Sequence, residues 1–306
     1  MRCANATGSP ADIIDHRLAR ISRSVVCLCL AFALLASPGR AKADLDDRDF
    51  VGSFLGNDAE AGNFFGVEIQ SDNLTTGAEF FLEKTLSKRS SVGVIWGLQR
   101  LSTPGQQPAF GTDNLSIFYK YVFLSLQHHE LAVAVSPFVE VTAGNRRVGA
   151  DSHNRVGGEL LFAKGLGDLP ESLRYFRPLA VEGEFGFDHR VDGLSDQSIF
   201  GFVELEYSLS YLNEHVHPLR SFWLMHDLVP HVELDYDQLL NSHSAGTAPD
   251  FRVTPGLTFV SPRLVVKAGV TIAVNGAAPS GDRLAFIGLI GFPLDALVPA
   301  FSRNLF

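Results

Sequence analysis

The chain has 306 residues, 46% of them hydrophobic and 19% charged, with a formal net charge of −9. This acidic balance disfavours nucleic acid or an anionic lipid surface as a partner. All three cysteines, Cys3, Cys27 and Cys29, lie near the start of the chain. The remaining sequence therefore has no disulfide, no thiolate metal site and no cysteine nucleophile.

The first 43 residues predict a removable secretory signal. Arginines precede an apolar run over residues 25–36, and Ala41-Lys42-Ala43 supplies a small-x-small cleavage pattern before Asp44. The run is too short to cross a bilayer as a helix, which disfavours a membrane anchor. We expect residues 44–62 to form an N-terminal periplasmic segment.

From residue 63 to 292 the chain alternates apolar residues with polar or small ones. In one segment Leu131, Val133 and Val135 alternate with Ala134 and Ser136. A period of two places every second side chain on the same face of a strand. Behind an export signal, the repetition predicts an all-β fold: a transmembrane antiparallel up-and-down β-barrel of about 12 strands in the outer membrane of a Gram-negative bacterium. The predicted strands are 63–70, 74–86, 91–101, 114–124, 130–142, 155–164, 179–189, 198–209, 228–239, 251–261, 264–274 and 284–292.

The connections alternate between short and long. This asymmetry predicts short periplasmic turns and long outer loops, with both ends of the barrel domain on the periplasmic side. The short turns are 87–90, 125–129 and 262–263, and the long loops, rich in turn residues, are 102–113, 143–154, 190–197, 240–250 and 275–283.

Two predicted periplasmic connections, residues 165–178 and 210–227, are long for that side. The second carries Leu212, Val216 and Phe222 at spacings that favour a short amphipathic helix at the barrel rim. Residues 293–306 form a predicted C-terminal tail. Its last residue, Phe306, is of the type that the barrel assembly machinery recognises, so we expect it to act as an insertion signal.

One stretch carries a family resemblance. Residues 163–170 read AKGLGDLP and residues 177–180 read RPLA, and the chain resembles the outer-membrane family named for the MetA pathway of phenol degradation, whose members carry GKGxGDLP followed by RPFA. The resemblance implies a membrane β-barrel with a transporter-like role and an association with aromatic compounds. It implies no site residues.

Placing the apolar face against lipid leaves an acidic face in the lumen. Glu182 with Glu184, and Glu204 with Glu206, are spaced two apart on adjacent predicted strands, so four carboxylates are expected on one wall, where they would attract cations. The alternative is an ion-pair network that packs a narrow interior shut. The residues predicted to line a solute path are Glu182, Glu184, Glu204, Glu206, Glu233, Asp235, Lys120, Arg252 and Lys267.

No catalytic residue, metal site or cofactor is predicted. The run Ser242-His243-Ser244-Ala245-Gly246 weakly resembles the Ser/His patches of outer-membrane lipid hydrolases, which space the two residue types differently. His215 and His217, even with His226, Asp227 and His231, lack the paired spacing of a zinc motif.

The sequence therefore predicts an outer-membrane channel or transporter for a small-molecule solute, in contact with outer-membrane lipid. The family resemblance alone implies that the solute is hydrophobic or aromatic. The alternative is a closed structural barrel that docks periplasmic partners through residues 165–178 and 210–227. An outer-membrane hydrolase is the third hypothesis.

Overall fold

The computed structural model describes residues 50–54, 56–191, 196–218, 227–240, 248–275 and 284–297. Twelve antiparallel strands pair in chain order and close into one barrel. None of the described helices is long and apolar enough to cross a membrane. The strands are β1 (Phe64–Ser71), β2 (Thr75–Ser87), β3 (Ser90–Leu101), β4 (Ala109–Leu126), β5 (Leu131–Val141), β6 (Arg155–Gly165), β7 (Leu179–Arg190), β8 (Gln197–Tyr207), β9 (Leu228–Leu240), β10 (Asp250–Ser261), β11 (Leu264–Ala273) and β12 (Leu284–Pro293).

The barrel closes through β1. This strand pairs with β2 on one side and with β12 on the other, with Phe64 opposite Pro293 and Ser71 opposite Phe286. Closure leaves no unpaired strand edge. We call the end of the barrel that contains Phe64 and Pro293 the lower end, and the opposite end the upper end.

The two faces of each strand differ as the alternation predicts. On β5, Val135 and Val139 are 38% and 43% exposed on the outer face, whereas Ala134 and Ser136 are completely buried on the inner face. An outer face of exposed valine, leucine and aromatic side chains is typical of a lipid-facing wall. The predicted all-β barrel of about 12 strands is confirmed.

The strand bounds lie within two residues of the predicted ones, except at the start of β4. Beyond an irregularity between Trp96 and Leu98, β3 continues to pair with residues that were predicted as loop, and Leu101 lies opposite Ala109. The outer connection between β3 and β4 is therefore shorter than predicted.

Residues 50–54 and 56–62 differ from the prediction. We expected them in a periplasmic segment, but they lie inside the barrel, and we call them the luminal segment. Phe54 is 3% exposed and Ala59 is 1% exposed, and Ala59 packs in an apolar cluster with Ala134 and Leu161 of the barrel wall. The sequence does not reveal this position because the wall recognises the segment mainly through its backbone.

The motif of residues 163–170 forms an ordered corner at the lower end. Glu130 has a left-handed backbone (φ 46°), and its carboxylate accepts a hydrogen bond from Gly167 N at 3.0 Å. A Cβ atom at Gly167 would lie only 2.1 Å from Glu130 Oε1, so a larger residue there would displace the Glu130 carboxylate. Although partial burial opposes ionisation of Asp168, hydrogen bonds from His129 and Lys164 lower its pKa.

The two long lower connections contain short helical turns. In the first connection, Glu171–Phe176 forms a 3-10 turn. It contacts the barrel wall through Tyr207 of β8, whose hydroxyl donates a hydrogen bond to the Tyr175 carbonyl at 3.1 Å. In the second connection, helical residues span Leu209–Tyr211 and Leu212–Val216, and residues 219–226 lie outside the described part. After β12, the described tail is the turn Leu294–Leu297.

Candidate functional site in the barrel lumen

The lumen holds the luminal segment mainly through carboxylates of the wall. A backbone N–H is an obligatory donor, and a carboxylate is an acceptor for it. The backbone contacts are Val51 N to Glu206 at 3.2 Å, Gly52 N to Glu182 at 3.2 Å, Phe54 N to Glu233 at 2.9 Å, Asn57 N to Glu184 at 2.8 Å and Gly62 N to Glu83 at 2.8 Å.

Two buried lysines donate hydrogen bonds to carbonyl and carboxylate oxygens of the luminal segment. Lys267 Nζ donates to the carbonyls of Gly52 at 2.7 Å and Ser53 at 3.0 Å. Lys120, which is fully buried, lies 2.7 Å from Asp58 Oδ1 and donates to the Glu60 carbonyl at 2.8 Å. The wall therefore matches both the donors and the acceptors of the segment.

Side chains of the segment add further contacts. The Ser53 hydroxyl donates to Glu233, and the Asn57 amide lies 3.3 Å from Glu159. The Phe54 ring stacks on His231 with 5.1 Å between ring centroids. A buried aromatic ring and an extended run of paired backbone groups fix the segment in one position.

Six of the nine predicted path residues contact the luminal segment: Glu182, Glu184, Glu206, Glu233, Lys120 and Lys267. The other three lie beside it on β8, β9 and β10. Glu204 lies 3.1 Å from His231 Nδ1. Arg252 forms an ion pair with Asp250 at 2.5 Å. Arg252 and Asp235 both line a smaller cavity of about 240 Å³.

A larger cavity of about 420 Å³ lies between the luminal segment and the opposite wall. Phenylalanines of several strands line it, and two of them, Phe81 and Phe118, stack with 5.8 Å between centroids. Gly93 makes room for this stack, because a Cβ there would lie 2.1 Å from the Phe118 ring. The phenylalanines lining the cavity are Phe50, Phe54, Phe64, Phe81, Phe118, Phe138 and Phe200.

The same cavity contains a pair of carboxylates. Glu68 on β1 lies directly opposite Glu79 on β2, and both line the cavity. Like charges at paired positions repel each other. No hydrogen bond or ion pair joins either side chain to another residue within the described ranges. The prediction included neither residue among the path residues.

Comparison with known proteins gives only the fold. No family model and no curated protein matches the chain. An outer membrane channel from Pseudomonas putida F1 superposes with a TM-score of 0.53 at 11% identity, covering 78% of this chain and 98% of that one. The NanC porin has a TM-score of 0.47, 9% identity and coverage of 74% and 97%. The KdgM porin has a TM-score of 0.46, 10% identity and coverage of 75% and 98%.

The shared feature is the barrel. At such low identity no site residue carries over, and the resemblance to the MetA-pathway family stays a prediction. The site must be interpreted from its own chemistry.

The other candidate chemistries do not assemble in the described residues. His215 and His217 are exposed at the lower end, whereas His231 is buried in the lumen. The described residues include no group of three or more His, Cys, Asp or Glu that could hold a metal ion. The Ser242 to Gly246 run and His226 lie outside the described residues.

The sequence contained an overlooked signal for the aromatic wall. Phe81 and Phe118 each lie two residues from a charged residue of the inner face, Glu83 and Lys120 respectively. Period-two alternation therefore places both rings in the lumen. The residue type alone does not show this position, because phenylalanine is equally suited to the lipid-facing side of a barrel.

Proposed function

We propose that this chain is an outer-membrane channel for small hydrophobic or aromatic solutes, with its own N-terminal segment seated in the lumen. The observation that carries the proposal is the 420 Å³ cavity lined by phenylalanines. Its volume is in the range of small-molecule sites, and aromatic linings favour flat, apolar solutes. The apolar outer face supports a membrane location.

The luminal segment fills part of the lumen and so narrows the passage through the barrel. Hydrogen bonds between its backbone and the side chains of the wall hold it, and each contributes about 0.5 to 1.5 kcal/mol. The solute path therefore runs beside the segment, along the wall formed by β1 to β4. The carboxylates of β7 to β9 serve mainly to hold the segment rather than to contact the solute.

Liposome flux tests the proposal. The full chain is reconstituted into liposomes, and efflux of phenyl glucoside is compared with that of cyclohexyl glucoside. Both probes cross lipid poorly and differ only in the aromaticity of one ring. We expect the protein to release phenyl glucoside faster. Equal release of both, or no release above protein-free liposomes, contradicts the proposal.

The structural barrel is the second candidate. One observation favours it: Leu173, Tyr175 and Phe176 of the Glu171–Phe176 turn are 42%, 52% and 54% exposed at the lower end, and exposed apolar groups of this kind mark interaction surfaces. The flux assay separates the two functions. Replacing all three residues with Ser should leave a channel's flux unchanged, whereas a structural barrel has no flux and loses its partner.

A further inference from the structure

We infer that the aromatic cavity binds a small organic cation that carries a ring, such as an aromatic ammonium compound. The inference rests on the proposed function, since the cavity is the proposed solute path, and it adds the charge of the solute. Three features of the cavity carry it: a carboxylate pair without an ion-pair partner, a lining in which carboxyl groups outnumber cations, and aromatic rings.

The carboxylate pair is the first feature. Glu68 and Glu79 lie in register on neighbouring strands with both side chains toward the cavity. Across β12, Glu68 lies opposite the apolar Leu289, which offers no compensating charge. A cation seated between the two carboxyl groups would favour their ionised forms and be attracted to both.

The nearby cations are the second feature. Lys267 lines the cavity and its positive charge acts on Glu68, but its ammonium donates hydrogen bonds to the carbonyls of Gly52 and Ser53 and forms no ion pair with Glu68 or Glu79. Lys120 pairs with Asp58 and with Glu83. Among the described residues, one lysine and six carboxyl groups line the cavity, those of Asp58, Glu60, Glu68, Glu79, Glu159 and Glu184. A bound cation would therefore lie where carboxyl groups predominate.

The aromatic rings are the third feature. The ring centroids of Phe64 and Phe81 are 6.3 Å apart, and Phe81 also stacks with the buried Phe118. Phe64 and Phe81 are only partly buried, so they present aromatic surface to the cavity. The faces of such rings attract cations, and aromatic surfaces are a common means of binding quaternary ammonium groups. An aromatic ring of the solute would also pack against them. A solute with both a ring and a positive charge matches the cavity better than a neutral or anionic one.

Equilibrium dialysis of the full chain in neutral detergent tests this inference. Three probes separate the contributions: benzyltrimethylammonium has a ring and a positive charge, tetramethylammonium has the charge alone, and phenylmethanesulfonate has a ring and a negative charge. We expect benzyltrimethylammonium to bind at least about tenfold more tightly than either of the others. Equal or tighter binding of the sulfonate overturns the inference.

The double variant Glu68→Gln/Glu79→Gln assigns the effect to the pair. It keeps the side-chain size and removes the charges, and we expect an affinity loss of about tenfold for benzyltrimethylammonium only. The control is Glu171→Gln, because the Glu171 side chain is 69% exposed outside the lumen. Unchanged cation binding in the double variant overturns the inference. Heat-dependent gel mobility checks that the double variant folds. If it does not fold, the comparison of the three probes on the wild-type chain alone decides whether the cavity prefers a cation.

The two proposals fail in different ways. Phenyl glucoside flux without a preference for the cationic probe would leave the channel standing and remove the cation site. Tight, pair-dependent binding of the cationic probe without any flux would remove the channel and keep the binding site.

Discussion

The two sides of the lumen use the same residue type for different purposes. On β7 and β9, Glu182 and Glu233 accept backbone N–H groups of the luminal segment. On β1 and β2, Glu68 and Glu79 face an aromatic cavity instead. An acidic inner face is therefore not by itself a solute path, because the chain's own backbone can occupy the carboxylates.

Removing the luminal segment should give the largest change in channel properties, because it frees the carboxylates of β7 to β9 and removes the difference between the two sides of the lumen. Deleting residues 50–61 leaves the carboxylates of β7 to β9 without their N–H donors and opens the passage along that wall. We expect a large rise in single-channel conductance in planar bilayers and a stronger preference for K⁺ over Cl⁻, since acidic linings favour cations.

The matched control is a deletion in an outer connection. Residues 104–107 are exposed between β3 and β4 and lie outside the lumen, so their removal should leave the conductance unchanged. A conductance that stays at the wild-type value after deletion of residues 50–61 would show that the segment does not restrict the passage.

Lys120 joins the two sides, and its removal should give the next largest effect. It is fully buried and pairs with Asp58 of the luminal segment and with Glu83 of β2, at 2.7 and 3.1 Å. Lys120→Met leaves Glu83 buried without its cation. We expect the free energy of unfolding to fall by about 3 to 5 kcal/mol, measured by urea unfolding in lipid vesicles with tryptophan fluorescence.

Two further variants test whether the removal of any positively charged side chain lowers the free energy of unfolding to the same extent. Arg252→Met removes a partly exposed cation that pairs with Asp250, and we expect a loss of only about 0 to 1 kcal/mol. Adding Glu83→Gln to Lys120→Met should recover much of the lost stability. Equal losses for Lys120→Met and Arg252→Met would contradict the anchoring role of Lys120.

The sequence predicted the wall of this barrel better than its contents. Strand positions follow from period-two alternation, because one face meets lipid and the other does not. The same periodicity correctly assigned Glu182 and Lys267 to the inner face. It did not reveal their partners, since Val51 and Gly52 are bound through backbone atoms that any residue would supply. Backbone recognition leaves almost no trace in the residue types.

The aromatic wall can be tested separately from the carboxylates. Phe81→Leu and Phe118→Leu keep the apolar character and remove the ring, and aromatic pairs contribute about 0.5 to 1.5 kcal/mol beyond the area that they bury. We expect the flux ratio of phenyl to cyclohexyl glucoside to fall by about two- to tenfold in liposomes. Phe185→Leu is the control, because Phe185 is 59% exposed on the outer face. The same change in all three variants would remove the role of the cavity wall.

Asp151, at the upper end, is a carboxylate that neither binds the luminal segment nor faces the cavity, and its substitution has the smallest expected effect on stability. Partial burial opposes its ionisation, but hydrogen bonds from Arg190 at 2.7 Å and Arg155 at 2.9 Å outweigh it and lower the pKa of Asp151. A carboxyl with a lowered pKa stabilises the fold above its ordinary pKa of about 4, and this stability is lost as the pH falls toward the lowered value.

Hydrogen exchange of residues 143–154 measures this contribution. At pH 5 to 8 we expect Asp151→Asn to exchange up to about fivefold faster than wild type, the difference shrinking as the pH falls below about 4. Glu171→Gln, at the lower end, should leave the exchange of this loop unchanged at every pH. A difference that persists at low pH would mean that Asp151 acts through the hydrogen bonds of its carboxyl group rather than through its charge. The upper carboxyl group would then resemble those of the lumen, whose role depends on accepting hydrogen bonds from the chain's own backbone.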